Sequence, residues 1–191
     1  MSKYIHMNYI PNIISGLRIL FIPLFSLYVI NHQYDFALYL FILMGLSDCV
    51  DGVLARYFNC VSLLGAYLDA IADKIMINTA FLILYSINIL PYYILILVIS
   101  RDLIIFTGIL LKNKNNNHFE MSPIFLSKVN TFMQILLVIY CLLFLNNFTD
   151  IKYIQDIINV VTLTTIASGL EYIYNYKNNI FAKNVKLTAN I

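Results

Sequence analysis

Apolar runs of membrane-crossing length, broken by four closely spaced aspartates, constrain this chain more than any other feature. Asp48 and Asp51 close one such run, and Asp69 and Asp73 open the next. A carboxylate between membrane-length apolar segments is costly and marks a functional site unless something neutralises it. Residues three or four apart share one face of a helix, so each pair of aspartates points one way. A turn around Arg56 to Cys60 would fold the two helices antiparallel and bring the pairs together. Four convergent carboxylates cannot all stay ionised without cations. Arg56 and Lys74 are too few to make a closed ion-pair cluster. Oxygen-only donors suit a hard divalent ion, Mg²⁺ or Mn²⁺, and two such ions side by side could clamp phosphoryl oxygens.

The rest of the composition agrees. The 191 residues are 61% hydrophobic and 12% charged, about half the charge of a soluble domain. With about 20 apolar residues per crossing, the length allows six spans with short loops. They are expected at residues 13–30, 34–57, 61–89, 92–111, 122–145 and 154–174, in one all-α membrane domain covering residues 1–191. A net charge of +2 gives no basis for nucleic-acid binding. Cys49, Cys60 and Cys141 have no metal-type spacing and read as small core residues. No cleavable signal pattern precedes the first run. In the six-span arrangement one face carries Lys3, Arg56, Lys112, Lys114, Lys177, Lys183 and Lys186, and the other only Lys152. The positive-inside rule then puts both termini and the acidic site, between helices 2 and 3, on the cytoplasmic side.

Other polar residues inside the spans each have two readings. Arg18, one turn into the first span after Pro11-Asn12, either snorkels to the interface or meets a phosphate. Arg101, beside Asp102 in the fourth span, is either an internal ion pair or a phosphate ligand. Lys128, at the start of the fifth, is either an interfacial anchor or a phosphate ligand. Thr164 to Gly169 are small residues suited to close helix packing.

Asp48, Asp51, Gly52, Ala55, Arg56, Gly65, Asp69 and Asp73, in the pattern D-x2-D-G-x2-A-R-x8-G-x3-D-x3-D, resemble the signature of the CDP-alcohol phosphatidyltransferases. The resemblance implies transfer of a phosphatidyl group from CDP-diacylglycerol to an alcohol, with release of CMP. It implies Asp48, Asp51 and Asp69 as principal metal ligands. Asp73 would be the general base and would also touch the second of two Mg²⁺ or Mn²⁺ ions. Gly52, Ala55 and Gly65 would make room for the nucleotide, Arg56 would support its phosphates, and Asn12 would line the same cavity. Arg18, Arg101 and Lys128 become candidates for lipid or acceptor phosphate.

Outside the acidic spacing itself, Pro11 to Arg18 and Asp69-x-x-Ala72-Asp73-Lys74 are similar to the glycerol-type branch, and Ser100-Arg101-Asp102, Pro123 to Thr131 and Thr164 to Ser168 resemble particularly the CMP-forming cardiolipin synthases. Ala70 departs from that branch, which usually has proline there. Phosphatidylglycerol is the first expected acceptor and glycerol-3-phosphate the alternative. The resemblance also implies a homodimer in a bacterial inner membrane or its equivalent. A non-catalytic cation-binding membrane protein is the reading from a different class. It would need no nucleotide-sized space beside the aspartates.

Overall fold

The computed structural model describes the backbone of residues 10–57, 63–114 and 125–188, and the side chains of residues 16–47, 71–108, 125–150 and 152–175. The described chain is all helical, with no strand. Its helices are α1 (Ile10–Ile30), α2 (Tyr34–Tyr57), α3 (Leu63–Ser86), α4 (Tyr92–Lys114), α5 (Phe125–Leu145) and α6 (Ile154–Thr188), with a 3₁₀ turn at Ile151–Tyr153. Arg56 and Tyr57 are still helical, and the rest of the expected turn between α2 and α3 lies outside the described residues. α6 continues beyond Tyr174, past the point where the apolar pattern gives way to Asn and Lys.

The chain divides into two compact units. One comprises Met1–Pro91 and Val138–Ile154, the other Tyr92–Leu137 and Gln155–Ile191. In the first unit α1 packs against both α2 and α3. Its buried residues Arg18, Ile22, Phe25 and Val29 recur at helical spacing and so form a single stripe. Ala37, Leu38, Phe41 and Met44 of α2 and Ala72, Met76, Ile77, Ala80 and Phe81 of α3 are the buried counterparts. Phe25 meets Phe41 with ring centroids 5.6 Å apart. The opposite stripe of α1 (Leu17, Leu20, Leu24, Leu27 and Ile30) is exposed and equally apolar. A helix apolar all round belongs in lipid or in a large core. Two described helical segments, Phe125–Leu145 and Ile154–Asn175, are each long and apolar enough to cross a bilayer, and Gly16–Ile30 and Tyr34–Ser47 are shorter apolar stretches.

Three helices end in the same way, at residues of this unit. His32, Asn88 and Asn147 have φ of 59°, 61° and 60°. At each, the next residue donates its N–H five residues back: Gln33 to Tyr28, Ile89 to Leu84 and Phe148 to Leu143, at 2.9–3.0 Å. The left-handed residue itself donates to a carbonyl three residues back, so otherwise unpaired carbonyls are satisfied. This is why α3 stops at Ser86 and not at Ile89: the chain reverses through Asn88, and Pro91 follows. Asparagine tolerates this conformation and β-branched residues do not.

The second unit has α4 and α6 in close approach around Gly108. The Tyr172 ring lies where a Cβ at position 108 would stand, and the Tyr172 hydroxyl donates to the Ile105 carbonyl at 3.3 Å.

Replacing Asn88 by valine is expected to destabilise the detergent-solubilised protein by about 1–2 kcal/mol, the cost of the left-handed conformation. Asn88→Gly should stay within about 0.5 kcal/mol of the parent. Denaturant unfolding of the three proteins checks the order.

Candidate active site

The acidic motif is carried by two helices that share a partner. Asp48, Asp51, Gly52, Ala55 and Arg56 lie on the last turns of α2, and Gly65, Asp69 and Asp73 on the first turns of α3. Both helices pack on α1, which carries Asn12 and Arg18. Of these residues, Arg18 and Asp73 have described side chains; those of Asn12, Asp48, Asp51, Gly52, Ala55, Arg56, Gly65 and Asp69 lie outside the described residues. Among the described residues, no three metal-ligating side chains gather.

The two that are described meet. Arg18 Nη1 donates to Asp73 Oδ1 at 2.5 Å, with the Arg18 side chain fully buried and that of Asp73 32% exposed. Sequence reading offered Arg18 the interface or a phosphate; here its guanidinium is turned inward onto the last aspartate of the motif. The pairing has a physical cause. An arginine about two turns inside an apolar helix needs a counter-charge if it faces the protein, and Asp73 stands on the helix that α1 packs against. A guanidinium also presents several donors in one plane, so it can hold a carboxylate and keep other N–H groups for further acceptors. Lys74, next along the chain, is half-buried.

A second polar cluster occupies the other unit. Arg101 of α4 is buried, and its Nη1 donates to Asp102 Oδ1 at 2.7 Å. Its Nη2 donates to Ser127 Oγ of α5 at 2.6 Å and to Ser168 Oγ of α6 at 2.7 Å. One turn further along, Asn130 Oδ1 accepts from Thr164 Oγ1 at 3.0 Å and Thr165 Oγ1 at 2.9 Å. Three separated stretches of sequence, Ser100 to Asp102, Ser127 to Thr131 and Thr164 to Ser168, thus form one hydrogen-bonded cluster. Both Arg101 readings bear on it: an internal ion pair with Asp102 is present, and the same guanidinium ties three helices together. Lys128 is exposed and stands outside this cluster. Sequence reasoning did not single out Gln134. Its signal was available in the spacing of Ser127, Asn130 and Gln134 along one face of an otherwise apolar helix.

Arg18→Met is expected to lower stability by about 3 kcal/mol, the low end for breaking a buried pair because Asp73 is partly exposed. Asp73→Leu added to it should recover part of that loss. Denaturant unfolding of the two single variants and the double variant measures the coupling.

Comparison with known proteins extends the likeness to most of the chain. The CDP-alcohol phosphatidyltransferase family profile matches residues 8–168. Human cardiolipin synthase (CMP-forming) is 33% identical over 184 residues, covering 87% of this chain and 61% of that protein. The CDP-diacylglycerol–glycerol-3-phosphate 3-phosphatidyltransferase of Blochmanniella floridana is 34% identical over 199 residues, 97% of this chain and all of that protein. A rice chloroplast protein of the same name is 31% identical over 188 residues, 88% of this chain and 57% of its own length. The chain therefore spans about three-fifths of the human and rice relatives and the full length of the bacterial one. With eight motif positions intact on two helices that share α1, and a family match over most of its length, the chain belongs to the CDP-alcohol phosphatidyltransferase family.

Proposed function

We propose that this protein transfers the phosphatidyl group of CDP-diacylglycerol to a glycerol-type alcohol and releases CMP, with phosphatidylglycerol as acceptor. The observation that carries this reading is the complete acidic motif at the end of α2 and the start of α3, inside a family match covering residues 8–168. The donor set fits a divalent cation: Asp48, Asp51, Asp69 and Asp73 supply only hard oxygen atoms. Bound Mg²⁺ or Mn²⁺, two ions in this reading, would neutralise the diphosphate and the departing CMP.

The remaining chemistry belongs to the protein. The acceptor oxygen forms a bond to the lipid-bearing phosphorus as the bridging P–O bond breaks, and the electron pair leaves with CMP. Asp73 takes the hydroxyl proton. Arg18 holds that carboxylate in place from α1, so the base is oriented before the acceptor arrives. Asp69 stands one turn before it on α3. Gly52, Ala55 and Gly65 leave space for the nucleotide, with Asn12 and Arg56 beside it. Arg101 and Lys128 are the candidates for acceptor phosphate. The preference for phosphatidylglycerol rests on the flanking stretches resembling cardiolipin synthases, which meet around Arg101. Glycerol-3-phosphate is the second reading, favoured by the relatives named for that acceptor and by the bacterial one matched end to end.

In this reading the six helices cross the membrane with both termini and the acidic site cytoplasmic, an orientation supported by the distribution of lysine and arginine. A homodimer is part of the same proposal.

Purified protein with CDP-diacylglycerol and Mg²⁺ or Mn²⁺ should release CMP when phosphatidylglycerol is supplied. Release with glycerol-3-phosphate alone would move the assignment to the second reading. Release with neither would remove both. Chelation by EDTA should stop turnover and added Mg²⁺ restore it. Asp73→Asn should abolish turnover while CDP-diacylglycerol still binds; equal loss of binding would make Asp73 chiefly a metal ligand.

A further inference from the structure

The second unit buries two side-chain amides whose hydrogen-bonding capacity the protein does not use up. Asn130 and Gln134, four residues apart on α5, are both 0% exposed. Asn130 Oδ1 has its two threonine donors, but Nδ2 has no partner among the described residues, and neither Nε2 nor Oε1 of Gln134 has one. Each such group costs about 1–3 kcal/mol when buried without a partner. Inside a bundle surrounded by lipid, no bulk water is at hand to make up the loss. Arg101 Nε, in the same unit, is likewise buried without a partner.

Chemistry narrows what could satisfy the two amides. Residues four apart on a helix share a face. Together they offer N–H donors from Asn130 Nδ2 and Gln134 Nε2 and an acceptor at Gln134 Oε1. A phosphate or carboxylate accepts but cannot donate to Oε1. An ammonium donates but cannot accept from the amides. A hydroxyl group does both. Ser127, Asn130 and Gln134 also follow one another along α5, so the amides extend the polar cluster of Arg101 about 10 Å further along the helix.

We propose that Asn130 and Gln134 form an internal site for a hydroxyl group, supplied either by a buried water or by the polyol part of the acceptor. Only the second source rests on the proposed reaction. A buried water would bridge the two amides and close the hydrogen bonding of the α5–α6 contact. An acceptor hydroxyl would make the same bonds while Arg101 lies nearer its phosphate, so that Gln134 would help select polyol acceptors.

The test uses the full chain in detergent, comparing wild type with Gln134→Met, which is nearly isosteric and has no amide. Gln134→Leu serves the same purpose should the methionine variant fail to fold. Thermal unfolding is measured alone, with glycerol-3-phosphate and with phosphatidylglycerol, and KM is measured for acceptor and for CDP-diacylglycerol. An acceptor hydroxyl in the site predicts that acceptor raises the wild-type Tm, that the variant loses this rise, and that acceptor KM increases about tenfold, equivalent to about 1.4 kcal/mol, while KM for CDP-diacylglycerol holds. A water in the site predicts unchanged KM values and a Tm lowered by about 2–4 °C per kcal/mol of lost bridging. An unchanged or raised Tm together with unchanged KM values overturns the proposal, because removing an amide that binds nothing only relieves its desolvation. If wild type releases no CMP, the proposed reaction fails and the KM comparison goes with it, but the Tm comparison still decides the site.

Discussion

A buried charge on these helices has to find its partner inside the protein, because the exposed stripe of α1 is as apolar as its buried one. The exposed leucines of α1 show the constraint directly. A surface of that kind cannot hydrate a charge, so Arg18 turns inward to Asp73 and Arg101 turns inward to Asp102, Ser127 and Ser168. Each arginine defines a polar centre within its unit, and the remaining polar side chains of the spans are read most simply by their distance from one of these centres.

The two centres differ in kind. Around Asp73 an ion pair is placed on the helix that carries the second half of the acidic motif, and the arginine comes from the helix against which both motif helices pack. The charge of one catalytic candidate is therefore tied to the packing of α1. Around Arg101 one guanidinium engages neutral hydroxyls as well as a carboxylate. Hydroxyls bond weakly enough to be exchanged for a stronger acceptor such as a phosphate, which an acidic cage would repel. The first centre is suited to orienting a base, the second to receiving an anion.

Much of this was legible in the chain. Apolar runs and their interruptions gave the helices, and a pattern of eight fixed residues gave the family, because carboxylates between apolar segments have few other uses. What the sequence left open were pairings between distant residues. Arg18 and Asp73 are 55 residues apart with α2 between them, and nothing local tells the arginine to prefer an aspartate over the interface. The end of α3 was placed late because Ile87, Ile89 and Leu90 continue the hydrophobic run, whereas the backbone has already reversed at Asn88. Gln134 was passed over because a single amide in a long apolar helix gives little signal until its neighbours in space are known. The acceptor stays open for a related reason: relatives named for either alcohol are similar to this chain to nearly the same degree, so identity alone does not separate them.

The three left-handed turns at His32, Asn88 and Asn147 also bear on how the chain reversals are specified. They close the α1–α2, α3–α4 and α5–α6 connections with few residues, and the segments Asn31 to Gln33, Ile87 to Pro91 and Asn146 to Asp150 contain no lysine or arginine. Each reversal is completed by its own backbone hydrogen bonds, so it needs no partner from elsewhere in the protein. The chain reversals at these three points are therefore local features, set by the residues around them and not by how the helices pack.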